Sequence, residues 1–97
     1  MRAKMHLAAC VPNDGARRLA WWLGEQGRDG HVALERAGFD ANAIDRLLSG
    51  ELLPGLAIGA CLTLATGGAV VPGDFRRRAR GWWFDRPSER PALRRAA

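Results

Sequence analysis

Apolar residues recur along this chain at intervals of three and four, and glycines interrupt the pattern at the ends of each run. Ala16, Leu19, Ala20 and Leu23 fall at i, i+3, i+4 and i+7, a stripe that Trp22 widens. They predict a first helix over residues 15–26, with Asn13 or Asp14 as its N-cap. Gly27 breaks it. A second, short helix fits residues 31–37, with Asp29 placed to cap it and Gly38 just beyond its end. Asp40 then caps a third helix over residues 41–49, whose buried face is Ile44, Leu47 and Leu48, and Gly50 stops it. A fourth is expected over residues 55–66, carried by Ile58, Leu62 and Ala65 and ended by Gly67-Gly68. Pro72 suits a first helical turn and opens a fifth helix in which Phe75, Ala79 and Trp82 share a face. The expected fold is therefore all-α: a small five-helix domain over residues 14–86, after a leader of unassigned structure at 1–13. Residues 87–97, rich in Arg and Pro, are expected to form a disordered basic tail.

The second and third helices are separated by Gly38-Phe39-Asp40. A glycine that permits positive φ, an apolar plug and a helix cap are what a sharp corner between two short helices requires. From these residues onward the chain resembles the Cro and λ-repressor-like (Xre-type) helix-turn-helix family, over roughly residues 15–75. The matching positions are Gly38-Phe39-Asp40, Ile44, Leu47-Leu48-Ser49-Gly50, Pro54, then Ala65-Thr66-Gly67-Gly68-Ala69-Val70 and Asp74-Phe75.

This resemblance implies five helices, homodimers and sequence-specific binding to double-stranded DNA, as in phage or bacterial repressors and other regulators of transcription. It places the third helix in the major groove, where Ala41, Asn42, Ala43, Asp45 and Arg46 are the outward positions. Asn42 has the chemistry to fork an adenine, and Arg46 that to reach guanine or phosphate. Gly30-His31 stands where the family usually has a glutamine touching phosphate and base, so His31 and nearby Arg28 are candidate backbone contacts. Two departures carry the opposite sign. Asp40 and Asp45 bring negative charge to this surface, and Glu51-Leu52-Leu53 follows where basic residues are common in the family.

Charge sharpens the picture. The 97 residues carry a net +5, unevenly spread. Residues 76–97 hold eight arginines against Asp85 and Glu89, whereas residues 1–75 are close to neutral. A basic end on a neutral body favours a polyanion, and Arg76, Arg77, Arg78 and Arg80 are the candidate phosphate contacts. Arg17-Arg18 read instead as solvated helix charges. Trp21-Trp22 and Trp82-Trp83-Phe84 read as core or dimer packing, since four tryptophans in so short a chain must bury large areas.

Other chemistries find little footing. Cys10 and Cys61 have no metal spacing and read as reduced thiols of a cytoplasmic, nucleoid-associated protein. His6 and Cys10, four apart, are two ligands short of a zinc site. No catalytic set, phosphate loop or cofactor motif is present, so neither an enzyme nor a cofactor is expected. Two alternatives stand beside DNA binding. The fold can serve as a protein-protein interaction module through the acidic third helix. The uncharged stretch 52–71, followed by arginines, has the length of a membrane span, although Pro54 and Gly67-Gly68 argue against one and no membrane partner is expected.

Overall fold

The computed structural model describes residues 7–88. Among these the regular structure is entirely helical: α1 (Asp14–Gln26), α2 (Arg28–Arg36), α3 (Ala41–Ser49), α4 (Leu56–Ala65) and a 3-10 turn at Pro72–Arg76. No strand occurs among the described residues.

Helix α1 is the element on which the others converge. Asn13 caps it, its Oδ1 accepting from the Ala16 amide at 2.7 Å. Its inward face, Ala16, Leu19, Ala20 and Leu23, is buried as the spacing predicts, and packs on α2, α3 and the 3-10 turn. The first two helices meet almost without a loop. Gly27 (φ 62°) closes α1, its amide bonding Leu23 O at 2.8 Å, and serves in place of Asp29 as the cap of α2. Asp29 sits inside the first turn, where a negative charge meets the positive end of the helix dipole.

Between α2 and α3 the chain turns as its residues require. Gly38 takes φ 100°, Phe39 is buried with its amide on Leu34 O at 2.8 Å, and Asp40 Oδ1 accepts from the Ala43 amide at 2.8 Å. Helix α3 buries Ile44, Leu47 and Leu48 and ends at Gly50 in the left-handed region. The core is completed by Leu34, Leu62, Val70, Phe75 and Trp83.

Three expectations are corrected here. Helix α4 turns Gly59 and Leu62 inward, while Ile58 is half exposed. This segment is apolar all round, so no polar side fixed its rotation. Close approach fixed it instead, because a Cβ on Gly59 would come within 2.5 Å of the Pro72 ring. The expected fifth helix is only the 3-10 turn. The α1 N-terminus draws the chain out of helical register by donating the Asp14 amide to Arg77 O at 3.0 Å, and Arg77 is extended (φ −102°, ψ 144°). In consequence the inward aromatic is Trp83, and Trp82 is 44% exposed.

The uncharged stretch 52–71 contains the ten-residue α4 flanked by turns, and no helix of the described residues is long and apolar enough to cross a membrane. His6 and residues 89–97, part of the tail expected to be disordered, lie outside the described residues; the tail's first residues, Pro87 and Ser88, have defined positions against α1.

Candidate nucleic-acid interface

Burying Ile44, Leu47 and Leu48 leaves the opposite side of α3 to solvent. Ala41, Asn42 and Arg46 are exposed, Asp45 is half-buried, and Ala43 leans toward the core. Asn42, Asp45, Arg46, Ser49 and Glu51 share one open hollow of about 270 Å³, whose far wall is Leu7 and Ala8 of the leader. Arg46 is not a free cation on this surface. Its Nε lies 3.9 Å from Glu51 Oε2, a solvent-exposed pair that holds the guanidinium weakly and is easily exchanged for another anion.

A second hollow, about 400 Å³, opens where α3 ends. Gly50 and Leu53 form one side, Pro12, Asn13 and Phe75 the floor, and Arg76, Arg77 and Arg78 the rim. The three arginines and Arg80 are exposed. Buried Asp74 positions them, its Oδ2 accepting from the Val71 amide at 2.9 Å and its carbonyl from the Arg77 amide at 3.2 Å. Gly50, which lines the second hollow, stands between Ser49 and Glu51, which line the first, so the C-terminal end of α3 contributes to both. Among the candidate residues, then, Asn42, Asp45 and Arg46 share the first hollow and Arg76, Arg77 and Arg78 the second.

The α2 candidates stand elsewhere. Arg28 is exposed at the first turn of that helix. His31 is half-buried and turned back on its own helix, with Nδ1 3.3 Å from Gly27 O.

Arg17 and Arg18 are not solvated charges. Arg17 is 3% exposed; its Nε and Nη2 donate to Asp14 Oδ1 at 3.3 and 3.0 Å, and its Nη1 donates to Asp85 O at 2.7 Å. Arg18 bonds Asp14 Oδ2 at 3.0 Å and reaches the carbonyl and hydroxyl of Ser88, both at 3.0 Å. Burial alone would raise the Asp14 pKa. The hydrogen bonds from Arg18 and Arg17, and their charges, outweigh it and hold the carboxyl below its ordinary value.

Tryptophans complete the strap that these arginines hold. Trp21 Nε1 donates to Trp83 O at 2.8 Å, Trp83 Nε1 donates to Ala8 O at 2.9 Å, and Arg86 stacks 5.7 Å from the Trp21 ring centroid. Arg86 also pairs with Glu25 at 3.5 Å, so it contributes little to the outward positive field. The arginine signal for this strap was present as Asp14-x-x-Arg17-Arg18, but that spacing is equally that of an exposed helix surface.

No group of three or more potential metal ligands exists among the described residues. Comparison with family models, curated proteins and solved structures finds no match for this chain.

Proposed function

We propose that the chain is a sequence-specific double-stranded DNA-binding regulator of transcription of the Cro-like helix-turn-helix type, acting as a homodimer. The observation that carries this reading is that the end of α3 contributes both to the hollow beside its exposed side and to the hollow lined by Arg76, Arg77 and Arg78. A helix laid in the major groove needs a side free of core contacts and cations at its edge for the flanking phosphates. Here Asn42 and Arg46 are the groups suited to base edges, and the arginine rim lies beyond the negative end of the α3 dipole. In this role the α2–α3 corner is the motif's turn, and Arg80 with Arg28 adds backbone contacts.

Selection from random-sequence duplexes, repeated at two salt concentrations, tests the proposal. A defined site should emerge, with affinity falling steeply as salt rises. Arg46→Ala should weaken binding to that site by about 1–3 kcal/mol and relax preference at one base position. Enrichment of no sequence, together with no salt-dependent binding, overturns the reading.

A second reading has its own observation. Asp40, Asp45 and Glu51 make the α3 surface acidic, and Glu51 engages Arg46. A basic protein partner would fit that surface, and pull-down of one by the wild type but not by an Asp45→Lys, Glu51→Lys variant would favour an interaction module.

A further inference from the structure

Helix α4 presents a side that nothing in the molecule covers. Gly59 and Leu62 turn inward, whereas Leu56, Ala57, Ala60, Cys61 and Leu64 are exposed. At 100° per residue these five occupy one stripe, and Leu53, just ahead of the helix, is a further exposed apolar side chain. Leu56 is 83%, Leu64 71% and Leu53 60% exposed. A contiguous apolar surface of this kind marks an interaction site. We infer that a second copy of the chain covers it, two α4 helices packing against each other about a two-fold axis. The inference rests on the homodimer reading above for the identity of the partner, and adds the surface.

Charge and shape favour a second copy, and the area sets how tightly it can bind. No charged residue lies between Leu52 and Val71. A surface that meets its own image therefore suffers no like-charge repulsion here, and it offers nothing to steer a charged partner. Along the stripe, Ala57, Ala60 and Cys61 separate the bulky Leu56 and Leu64, so the leucines of one copy can settle over the small positions of the other. A ten-residue helix is about 15 Å long and about 10 Å across, which with Leu53 exposes on the order of 400 Å² per copy. Two copies would bury less than the roughly 1,200–2,000 Å² of a standard interface, which fits reversible association in the micromolar range. Leu53 also borders the arginine rim. Pairing through α4 would therefore hold two basic clusters on either side of the axis, as a palindromic duplex requires.

Sedimentation of the full chain without DNA tests the surface directly. The wild type should pass from monomer to dimer as its concentration rises through about 1–100 µM, and Leu56→Glu, Leu64→Glu should remain monomeric over that range with an unchanged helical circular dichroism spectrum. Because both leucines are largely exposed, the variant should fold. Cys61 lies at the edge of the stripe, about midway along the helix, so in a Cys10→Ser background a short bis-maleimide should join two chains through Cys61. In a Cys61→Ser background, with Cys10 retained, it should not. A wild type that stays monomeric, a glutamate variant that dimerises as well as the wild type, or cross-linking through Cys10 alone overturns the inference. So does a monomer that floats with lipid vesicles through this side. DNA binding by a strictly monomeric chain would sink the α4 surface and the homodimer, and leave only the DNA-binding part of the reading standing. An α4 dimer that binds no duplex would do the reverse.

Discussion

Asp14 accepts hydrogen bonds from two arginines while its side chain is 4% exposed. The carboxylate thereby anchors the two guanidiniums that also bond the strap of residues 81–88, Arg17 at Asp85 O and Arg18 at Ser88. Asp14→Ala should cost about 3–5 kcal/mol at neutral pH, the usual penalty for stranding a buried charge. The sign of the pH dependence follows from the lowered pKa. The stabilisation is fully present above the unfolded carboxyl's value of about 3.9 and is lost as pH falls through the lower folded value. Urea unfolding at pH 7 and pH 3 checks both points, and the gap between wild type and variant should shrink at the lower pH. Nothing near Asp14 in sequence announces this burial. The groups that cover Arg17 and Arg18, Asp85 and Ser88, stand 68 and 70 positions away.

At the scale of elements, legibility followed the caps. Helix α3 was readable to the residue because Asp40 and Gly50 bracket it and its apolar positions allow one inward side. Ile44→Ala or Leu47→Ala should each lower stability by about 2–5 kcal/mol, measurable as a fall in Tm, because both are almost fully buried in the shared core. Helix α4 was readable in extent but not in rotation, since an uncharged segment offers no polar side and Pro72 made the choice. The segment after Pro72 misled for a different reason. Its apolar spacing is helical, but Arg76 and Arg80 would repel at i, i+4, and α1 offers Arg77 O a better partner in the Asp14 amide. Of the candidate interface, the α3 positions came from the family resemblance and from the apolar side that Ile44, Leu47 and Leu48 define, and of these Ala43 leans toward the core. The retreat of His31 toward Gly27 and the pairing of Arg46 with Glu51 depended on geometry that spacing does not carry.

For the whole molecule, the separation of charge is the feature with the widest effect. The basic excess begins at Arg76; Arg76, Arg77 and Arg78 stand exposed beside the end of α3, and Arg80 is exposed as well. Each phosphate neutralised steepens the dependence of log affinity on log salt by about 0.9 for duplex DNA. Replacing Arg76, Arg77, Arg78 and Arg80 with Gln should flatten that slope by roughly two to four units if two to four of them meet phosphates. Binding should weaken on all sequences alike, because backbone contacts position a protein without reading bases. Titrations at several salt concentrations measure the slope, and an unchanged value would remove the arginines from the proposed backbone contact. Their exposure means the Gln variant should keep the wild-type Tm, so the loss can be separated from unfolding.

The hydrogen bond from Trp83 to Ala8 joins positions 75 apart, and it gives the order of synthesis a physical meaning. A ribosome adding about 5–20 residues per second makes α1 several seconds before it reaches the strap. Throughout that interval Arg17 lacks its Asp85 carbonyl, the Trp21 indole lacks its acceptor and the core lacks its last aromatic. Until residues 83–88 leave the exit tunnel these contacts cannot form, and the emerging chain is expected to be more open to proteases than the finished one. A message cut short before that point would yield a product that cellular proteases could tell from the finished one.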